Sequence, residues 1–197
     1  VKSYDENGVS IISQKGELVC ETPFPSMPIY FWNDSDGSKY HEAYFEKFKE
    51  KWTHGDYISI SETGGVRIFG RSDATLNPGG VRIGTSEIYK VVDKIDGVLD
   101  SVAISKNIEG DEKILLFVKM SKEFDDKINA LIKQSLKREC SPKHIPYKIF
   151  KVDDIPYTLN GKKIELAIKK IIEGKEVSNK SSIVNPESLK YFENLSI

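Results

Sequence analysis

The sequence predicts an α+β fold: a strand-rich first part, followed by helices packed on a small three-stranded sheet. Two observations predict it. Apolar residues alternate with period two in the first part of the chain, as in half-buried strands. Farther along, stretches with helical apolar spacing are separated by short apolar runs, in the order hairpin, helix, two strands, helix, strand, turn and helix. The 197 residues, 39% of them hydrophobic, are enough to bury a core.

The first part of the chain predicts short strands, one extended loop and one helix. Apolar residues at 9–12 and 18–20 indicate strands on either side of a turn. The three prolines in 23–28 exclude a regular helix or central strand there. From Ser38, aromatic residues recur at helical spacing, which predicts an amphipathic helix that ends near Trp52.

Two hairpins are predicted next. Residues 57–61 and 66–69 alternate around a glycine-rich turn, and residues 74–76 and 81–83 flank a second one. The glycine-punctuated junction at 70–73 lies between the hairpins. We expect a domain boundary there.

The rest of the chain alternates between helical and strand patterns. It predicts a helix from Thr85, strands at 98–105 and 113–120, a helix from near Asp125 to before Pro142, a strand at 148–152 and a helix at 164–173. Residues 174–183 are polar, and we expect them to be mobile. Asn185 followed by Pro186 predicts a short terminal helix, with Leu189, Phe192 and Leu195 along one side.

Composition and charge exclude several classes of protein. Lysine and arginine number 29, aspartate and glutamate number 30, and the net charge of −1 argues against nucleic acid as a partner. No apolar run approaches the roughly 18 residues of a membrane span. Cys20 and Cys140 fit free thiols in the cytoplasm, and three scattered histidines give no support for a metal cage. The chain starts at Val1 without a signal peptide, which is typical of a piece of a longer protein.

Asp56 follows a glycine at the edge of a predicted strand. A carboxylate in this setting suits a vicinal diol, because it accepts two hydrogen bonds and the glycine lets a ligand approach. The alternative is a turn carboxylate that satisfies backbone donors.

Arg71 and Arg82 flank a glycine-rich turn that contains Gly80. Arginine is a natural partner of phosphate, and glycines expose backbone amides to anions. The alternative is a pair of hairpin turns with solvated arginines.

Lys162 follows an Asn-Gly turn just before a helix. A lysine at the tip of a loop can reach a neighbouring site and neutralise a carboxylate or a phosphate. The alternative is an ordinary turn followed by a solvated basic face. Lys137 and Arg138 belong to a basic cluster that suits a polyanion, or that forms a solvated face instead.

Together, three motifs resemble those of the adenylate-forming superfamily, which contains acyl-CoA synthetases, peptide-synthetase adenylation domains and luciferases. They are a Gly-Asp motif at 52–56, a hinge motif from 70 to 88 and a Pro-x-Thr-x-x-Gly-Lys motif at 156–162. Within the superfamily the resemblance is to the acetoacetate-activating branch, through MPIYFWNDSDGSKYHEAYF, WTHGDY, GRSDATLNPGGVRIGTSEIY and DIPYTLNGKKIE. Ligases that activate acetate or another short acid are the alternative.

The resemblance implies a two-step ligase reaction. The carboxylate of acetoacetate attacks the α-phosphate of Mg-ATP, and CoA then displaces AMP from the acyl-adenylate. The implied roles are Lys162 in adenylation, Asp56 on the ribose, Arg71 on ribose and phosphate, Asp73 as the hinge, Gly80 beside the CoA pantetheine, Arg82 on a phosphate, and Lys137 or Arg138 on the CoA nucleotide. His54 occupies a position where many members have arginine, so no role is transferred to it.

The resemblance also implies a division of the chain. Residues 1–72 resemble the end of a large N-terminal domain, 73–175 a mobile C-terminal lid domain, and 176–197 a tail with a short helix. The family's pyrophosphate-binding loop and acid pocket are not found in this sequence, so we expect the segment alone to be inactive without the N-terminal domain of the same chain. A non-catalytic α+β binding module is the alternative from another class. RNA binding is disfavoured, since the predicted strands lack the aromatic signature of that function.

Overall fold

The computed structural model of the protein describes residues 1–177, 180–193 and 195. The chain divides into two compact units, Val1–Asp73 and Ala74–Ile197, and each is described by itself. Both contain strands, and helices cover a sheet in the second unit, so the predicted α+β class is confirmed. None of the helices in the described part of the chain is long and apolar enough to cross a membrane.

The first unit is built on one antiparallel sheet with the strand order β2-β1-β3-β4-β5. Its strands are β1 (Lys2–Tyr4), β2 (Ser10–Ile11), β3 (Gly16–Cys20), β4 (Trp52–Ile60) and β5 (Val66–Arg71). β4 and β5 form the predicted first hairpin. Both strands are longer than the alternating residues alone indicate, because β4 also pairs with β3 from Trp52 onward and β5 pairs with β4 as far as Arg71.

The helix predicted from Ser38 is real but short, and its predicted end near Trp52 is wrong. The helix α1 spans Ser38–Tyr44, and Trp52 already pairs with Cys20 in the sheet. Glu50 has a φ of 59°, which no right-handed helix accommodates. The aromatic residues belong to a packed cluster and not to one long helix: the ring of Trp52 stacks on Tyr44, with centroids 3.7 Å apart.

The second unit contains a three-stranded sheet with the order β6-β7-β8. Its regular elements are α2 (Thr85–Val92), β6 (Val98–Ile108), β7 (Asp111–Met120), α3 (Asp126–Glu139), β8 (Lys148–Val152) and α4 (Glu165–Ile172). β6 and β7 are antiparallel and are joined by Glu109 and Gly110, both with positive φ, as a tight hairpin turn requires. β8 runs parallel to β7, because α3 carries the chain back across the sheet.

The core of this unit has two layers on opposite faces of the sheet. Side chains of β7 alternate between them: Ile114, Leu116 and Val118 face one layer, and Leu115 and Phe117 face the other. The first layer is completed by apolar side chains of α2 and α3. The second is completed by α4 and by residues near the end of the described chain. All five of these β7 side chains are at most 1% exposed.

Local signals explain where the helices start. The Asp125 carboxylate accepts a hydrogen bond from the Ile128 amide at 2.8 Å, which caps α3. At α2, the Glu87 carboxylate accepts from the Gly84 amide at 2.9 Å, so the first turn is fastened from inside the helix.

Two other expectations differ from the structure. The second predicted hairpin is a single bridge between Leu76 and Ile83, with a short 3₁₀ helix at Pro78–Gly80 in its turn. Residues 180–183, expected to be mobile, are attached to the fold: Lys180–Ser182 forms a 3₁₀ turn and Ile183 is 6% exposed. Residues 178 and 179, in the same predicted segment, lie outside the described residues.

The terminal helix is present as a 3₁₀ helix over Pro186–Phe192. Leu189 and Phe192 are buried, and Leu195 packs against the second core layer. The Asn185 side chain makes no hydrogen bond to this helix, so it is not the predicted cap.

Substitution of Phe117 tests how much the second core layer contributes to stability. Its ring stacks on Phe150 and meets Phe192 edge-on, with centroids 5.0 Å apart in the latter pair. We expect Phe117→Ala to lower the free energy of unfolding by about 3–5 kcal/mol, because it leaves a cavity between two layers that cannot collapse fully. Urea denaturation measures it. Leu99→Ala, at a 59% exposed strand position, is the control and should cost less than about 0.5 kcal/mol.

Candidate functional site

Asp56 and Arg71 are cross-strand partners on β4 and β5. The Arg71 guanidinium lies 4.0 Å from the Asp56 carboxylate and donates two hydrogen bonds to Asp73, of 2.7 and 3.1 Å, and one to the His54 carbonyl. The hydrogen bonds to Asp73 raise the pKa of Arg71. Three residues proposed from sequence are therefore brought together within one unit.

Gly55 makes this arrangement possible. It has a φ of +80°, and a Cβ at this position would lie 2.8 Å from an Arg71 side-chain nitrogen. The Gly55 carbonyl also accepts a hydrogen bond from the Ser72 amide at 2.8 Å. Only glycine provides both the backbone conformation and the space that Arg71 occupies.

A cleft of about 520 Å³ lies beside Arg71, with Trp52, Gly55 and Asp73 also in its wall. Because Arg71 keeps half of its side chain exposed, a planar cation faces solvent next to a carboxylate. This pairing suits a ligand that carries both hydroxyl groups and a phosphate.

Glu17 is a residue of this region that sequence reasoning missed. Its carboxylate is buried, and it accepts hydrogen bonds from Lys47 at 2.5 Å and from Ser72 at 2.9 Å. The charged partner and the hydroxyl offset the cost of its burial. The signal was a glutamate inside an apolar strand, but its partners lie 30 and 55 residues away in sequence.

Asp73 is the last residue of the first unit, and Ala74 begins the second. A few residues beyond it, Gly80 has a φ of +79° with open space where a side chain would be. The turn is tethered by a hydrogen bond from the Gly79 amide to Asp111 at 3.3 Å. Gly80 and Arg82 are both exposed, so the turn presents a bare backbone and a cation to solvent.

Residues 157–163, here called the lysine loop, form a closed turn. Tyr157 and Lys163 pair across it, and Thr158 exchanges hydrogen bonds with Lys162: its amide donates to the Lys162 carbonyl and its hydroxyl accepts from the Lys162 amide. Gly161 takes the required positive φ of 70°. Lys162 is exposed, and its ammonium has no acidic partner within 4 Å among residues 1–177, 180–193 and 195.

The base of the lysine loop is fastened to Asp100 on β6. The Lys163 ammonium lies 2.8 Å from this carboxylate and 3.6 Å from that of Asp93, and the Tyr157 hydroxyl donates a short hydrogen bond to Asp100. A bulge in β6 between Val98 and Asp100 breaks the register of the strand pair at this point. The loop is thus held by charge at its base, and Lys162 lies exposed beside its tip, opposite Thr158.

The surroundings of the Tyr157 hydroxyl change its pKa. Burial raises the pKa of its phenol, and the neighbouring Asp100 carboxylate raises that pKa further by accepting the hydroxyl hydrogen. Neither Asp100 nor Lys163 stands out in the sequence, because their pairing depends on two elements more than 60 residues apart.

Lys137 and Arg138 lie in the last turn of α3 and are exposed, and Arg138 bonds to the adjacent Glu139 at 2.9 Å. They occupy a different element from Gly80, Arg82 and Lys162. Cations are favoured near a helix C-terminus, which is one structural reason for their position.

Comparison with known proteins finds relatives that match nearly the whole chain in sequence. No protein-family model matches the chain. It is 52% identical to an acetoacetyl-CoA synthetase of Caenorhabditis elegans over 98% of its length, and 45% identical to acetoacetyl-coenzyme A synthetase of Rhizobium meliloti over 99%. The chain spans only 28% and 30% of the lengths of these two relatives.

Solved structures agree. Acetoacetyl-CoA synthetase from Streptomyces lividans superposes with a TM-score of 0.90 at 38% identity, covering 98% of this chain and 30% of that one. The amide bond synthetase McbA from Marinactinospora thermotolerans gives a TM-score of 0.69 at 15% identity over 86% of this chain and 34% of that one, which shows likeness of fold alone.

The class follows from these matches: the fold is that of the C-terminal domain of adenylate-forming enzymes. Within that class, the chain is similar in sequence to acetoacetyl-CoA synthetases over nearly its whole length. The resemblance predicted from the motifs is confirmed at both levels. The roles of individual residues and the domain boundaries stay predictions.

Gly55 can be tested against Gly64, which has nearly the same φ of +83° in the same hairpin but no atom within 4 Å of a Cβ. Gly64→Ala should lower the free energy of unfolding by about 1–2 kcal/mol through backbone strain alone. We expect Gly55→Ala to cost about 1–3 kcal/mol more, because its methyl group displaces Arg71. Urea denaturation measures both. In an Arg71→Ala background the excess should vanish; its persistence would contradict the packing argument.

The raised pKa of Tyr157 predicts that the free energy of unfolding depends on pH in the alkaline range. Its pKa is higher in the folded than in the unfolded protein, so the folded state binds its proton more tightly. The contribution to stability is complete below the unfolded pKa of about 10 and is lost as pH rises through the folded value. Tyr157→Phe should therefore make the fall of unfolding free energy above pH 10 less steep. Tyr147→Phe, at an exposed position, is the control, and equal changes of slope in both variants would refute the assignment.

Proposed function

We propose that this chain is part of a longer ligase that activates acetoacetate with ATP and transfers the acyl group to CoA. The observation that supports it most is the lysine loop: an exposed lysine beside the tip of a turn anchored by Asp100, within a chain 52% identical to an acetoacetyl-CoA synthetase. Because the chain spans under a third of such relatives, the remaining length supplies the acid pocket and the pyrophosphate site.

The proposed reaction has two steps, formation of an acyl-adenylate and transfer of the acyl group to CoA. A carboxylate oxygen of acetoacetate attacks the α-phosphorus of ATP, and pyrophosphate leaves. The CoA sulfur, having lost its proton, then attacks the acyl carbon, and AMP leaves. Mg²⁺ enters with ATP and offsets the phosphate charge.

Lys162 acts in the first step. The attacking carboxylate and the α-phosphate are both anions, so their approach is opposed until a cation is placed between them. An exposed ammonium without an acidic partner nearby among the described residues is available for that task, and the anchored base of the loop limits the loss of conformational entropy when the lysine engages.

Asp56 and Arg71 hold the nucleotide. The carboxylate accepts hydrogen bonds from the two ribose hydroxyls, and the exposed part of the guanidinium meets ribose and phosphate. Asp73, at the division between the units, is the hinge that carries the second unit from one step to the next.

The second step uses other parts of the second unit. Gly80 leaves room for the pantetheine arm, because no side chain of the described residues occupies that space. Arg82 meets a phosphate in this step, and Lys137 or Arg138 holds the CoA nucleotide. A ligase for acetate or another short acid would use the same groups; the names of the relatives favour acetoacetate.

The protein is proposed to act in the cytoplasm, where ATP and CoA are supplied. Cys20 and Cys140 are free thiols, which fits a reducing compartment. Its partners are these small molecules and the preceding domain of the same chain, not nucleic acid.

Lys162→Ala in the full-length protein separates the two steps. Acetoacetate-dependent exchange of pyrophosphate into ATP should fall by about a thousandfold, because the charge that offsets the converging anions is gone. Thioester formation from supplied acetoacetyl-adenylate should stay within about twofold of wild type, since that step does not use Lys162.

Lys170→Ala is the matched control, an exposed lysine on α4 of the same unit, and should leave both steps unchanged. Equal losses in the two steps for Lys162→Ala would contradict the proposed role. The isolated 197-residue chain should catalyse no exchange; turnover by it would refute the division of labour.

A further inference from the structure

The lysine loop has a second neighbour besides Asp100. The chain returns along its outer edge after the 3₁₀ turn at Lys180–Ser182: Thr158 pairs with Ile183, the Leu159 amide donates to the Ser182 carbonyl at 3.2 Å, and the Val184 amide donates to the Tyr157 carbonyl at 2.9 Å. The segment 180–192, here called the return segment, thus pairs with one side of the lysine loop through backbone hydrogen bonds.

Asn185 is the polar centre of this contact. Its amide nitrogen donates to the Asp154 carboxylate at 2.6 Å and to the Ile155 carbonyl at 2.9 Å, and its oxygen accepts from the Tyr157 amide at 3.1 Å. Both donors and the acceptor are used, so the orientation of the side chain is determined. One side chain connects three positions on the approach to the lysine loop.

The return segment is itself firmly packed. Leu189 is 3% exposed and Phe192 1%, and the Phe192 ring meets Phe117 of the central strand edge-on. The Ser188 hydroxyl donates to the Asn185 carbonyl at 2.7 Å, which holds the backbone beside the amide. Asn185 therefore presents its hydrogen bonds from a rigid support.

Electrostatics at this contact are complementary. Although partial burial raises the pKa of Asp154, hydrogen bonds from Lys119 and Asn185 bring it below its ordinary value. The carboxylate is therefore ionised at neutral pH and remains an acceptor for the Asn185 amide.

We propose that Asn185 is a positioning residue for Lys162, and that the return segment fixes the lysine loop for adenylation. The effect passes from Asn185 to the Tyr157 amide, through Thr158, and from Thr158 to Lys162 by the hydrogen bonds across the turn. Asn185 does not touch substrate. The inference rests on the proposed function, since it assigns a purpose to the geometry of Lys162.

The test uses the full-length protein with Asn185→Ala and the two half-reactions measured separately. We expect pyrophosphate exchange to slow by about ten- to a hundredfold, because a loop displaced by about 1 Å no longer places the ammonium between the reacting anions. Thioester formation from supplied acetoacetyl-adenylate should change by less than about twofold. Glu187→Ala, an exposed residue in the same segment, is the control and should alter neither step.

A double variant distinguishes positioning from a general loss of structure. If Asn185 acts through Lys162, adding Asn185→Ala to Lys162→Ala should slow exchange no further. Hydrogen exchange of the Tyr157 amide should accelerate in Asn185→Ala and stay unchanged in Glu187→Ala. These two results together support the inference.

Asn185→Asp provides a pH readout. It keeps the acceptor for the Tyr157 amide but places a second carboxylate against Asp154. We expect exchange activity to recover, relative to wild type, as pH falls and the pair takes up a proton, which restores a donor.

The outcomes separate the two proposals. Equal losses in both half-reactions, additive losses in the double variant, or unchanged exchange in Asn185→Ala would overturn the inference alone. No acetoacetate-dependent exchange by the unchanged full-length protein would overturn the proposed function, and this inference with it.

Discussion

Burial of β7 on both of its faces is the constraint on which the second unit depends. A strand with apolar side chains on both sides must be covered twice, so α2 and α3 pack on one face while α4 and the return segment pack on the other. The return segment belongs to the core for this reason, because Phe192 completes the layer around Phe117. Without it, that face of the sheet would be left partly open to water.

The same arrangement explains how one lysine is presented. The lysine loop begins beside the bulge in β6 that carries Asp100, and the half-buried Lys163 and Tyr157 bind that carboxylate. Lys163 pairs with Asp100 at the base, and the neighbouring Lys162 is exposed without an acidic partner within 4 Å in the described part of the chain. The first unit holds its cation differently. The Arg71 side chain itself donates hydrogen bonds to Asp73 and to the His54 carbonyl, and Gly55 leaves space for it. One site relies on a tethered loop, and the other on a side chain held across two strands.

The elements that sequence reasoning placed well are those with strong periodicity. The alternation through β6 and β7 and the helical spacing in α2 and α3 come from each element burying its own face, which neighbours in sequence reveal. The helix from Ser38 was placed too long because its aromatic spacing also fits a cluster around Trp52. The polar residues around 180–183 predict a mobile segment, yet their backbone is hydrogen-bonded to the lysine loop.

By itself, the sequence determined the order of the elements, the three motifs and the likeness to acetoacetyl-CoA synthetases, because motif residues are close together along the chain. Asp56, Arg71, Asp73, Gly80, Arg82 and Lys162 are predicted as site residues in this way, and their roles stay predictions. Only the tertiary structure decided what supports them. No local signal in the sequence identifies the partners of Glu17, Asp100 and Asn185: each meets partners at least 28 residues away, through hydrogen bonds or ion pairs that exist only once the chain has folded. Distance along the chain hides these contacts, and folding creates them.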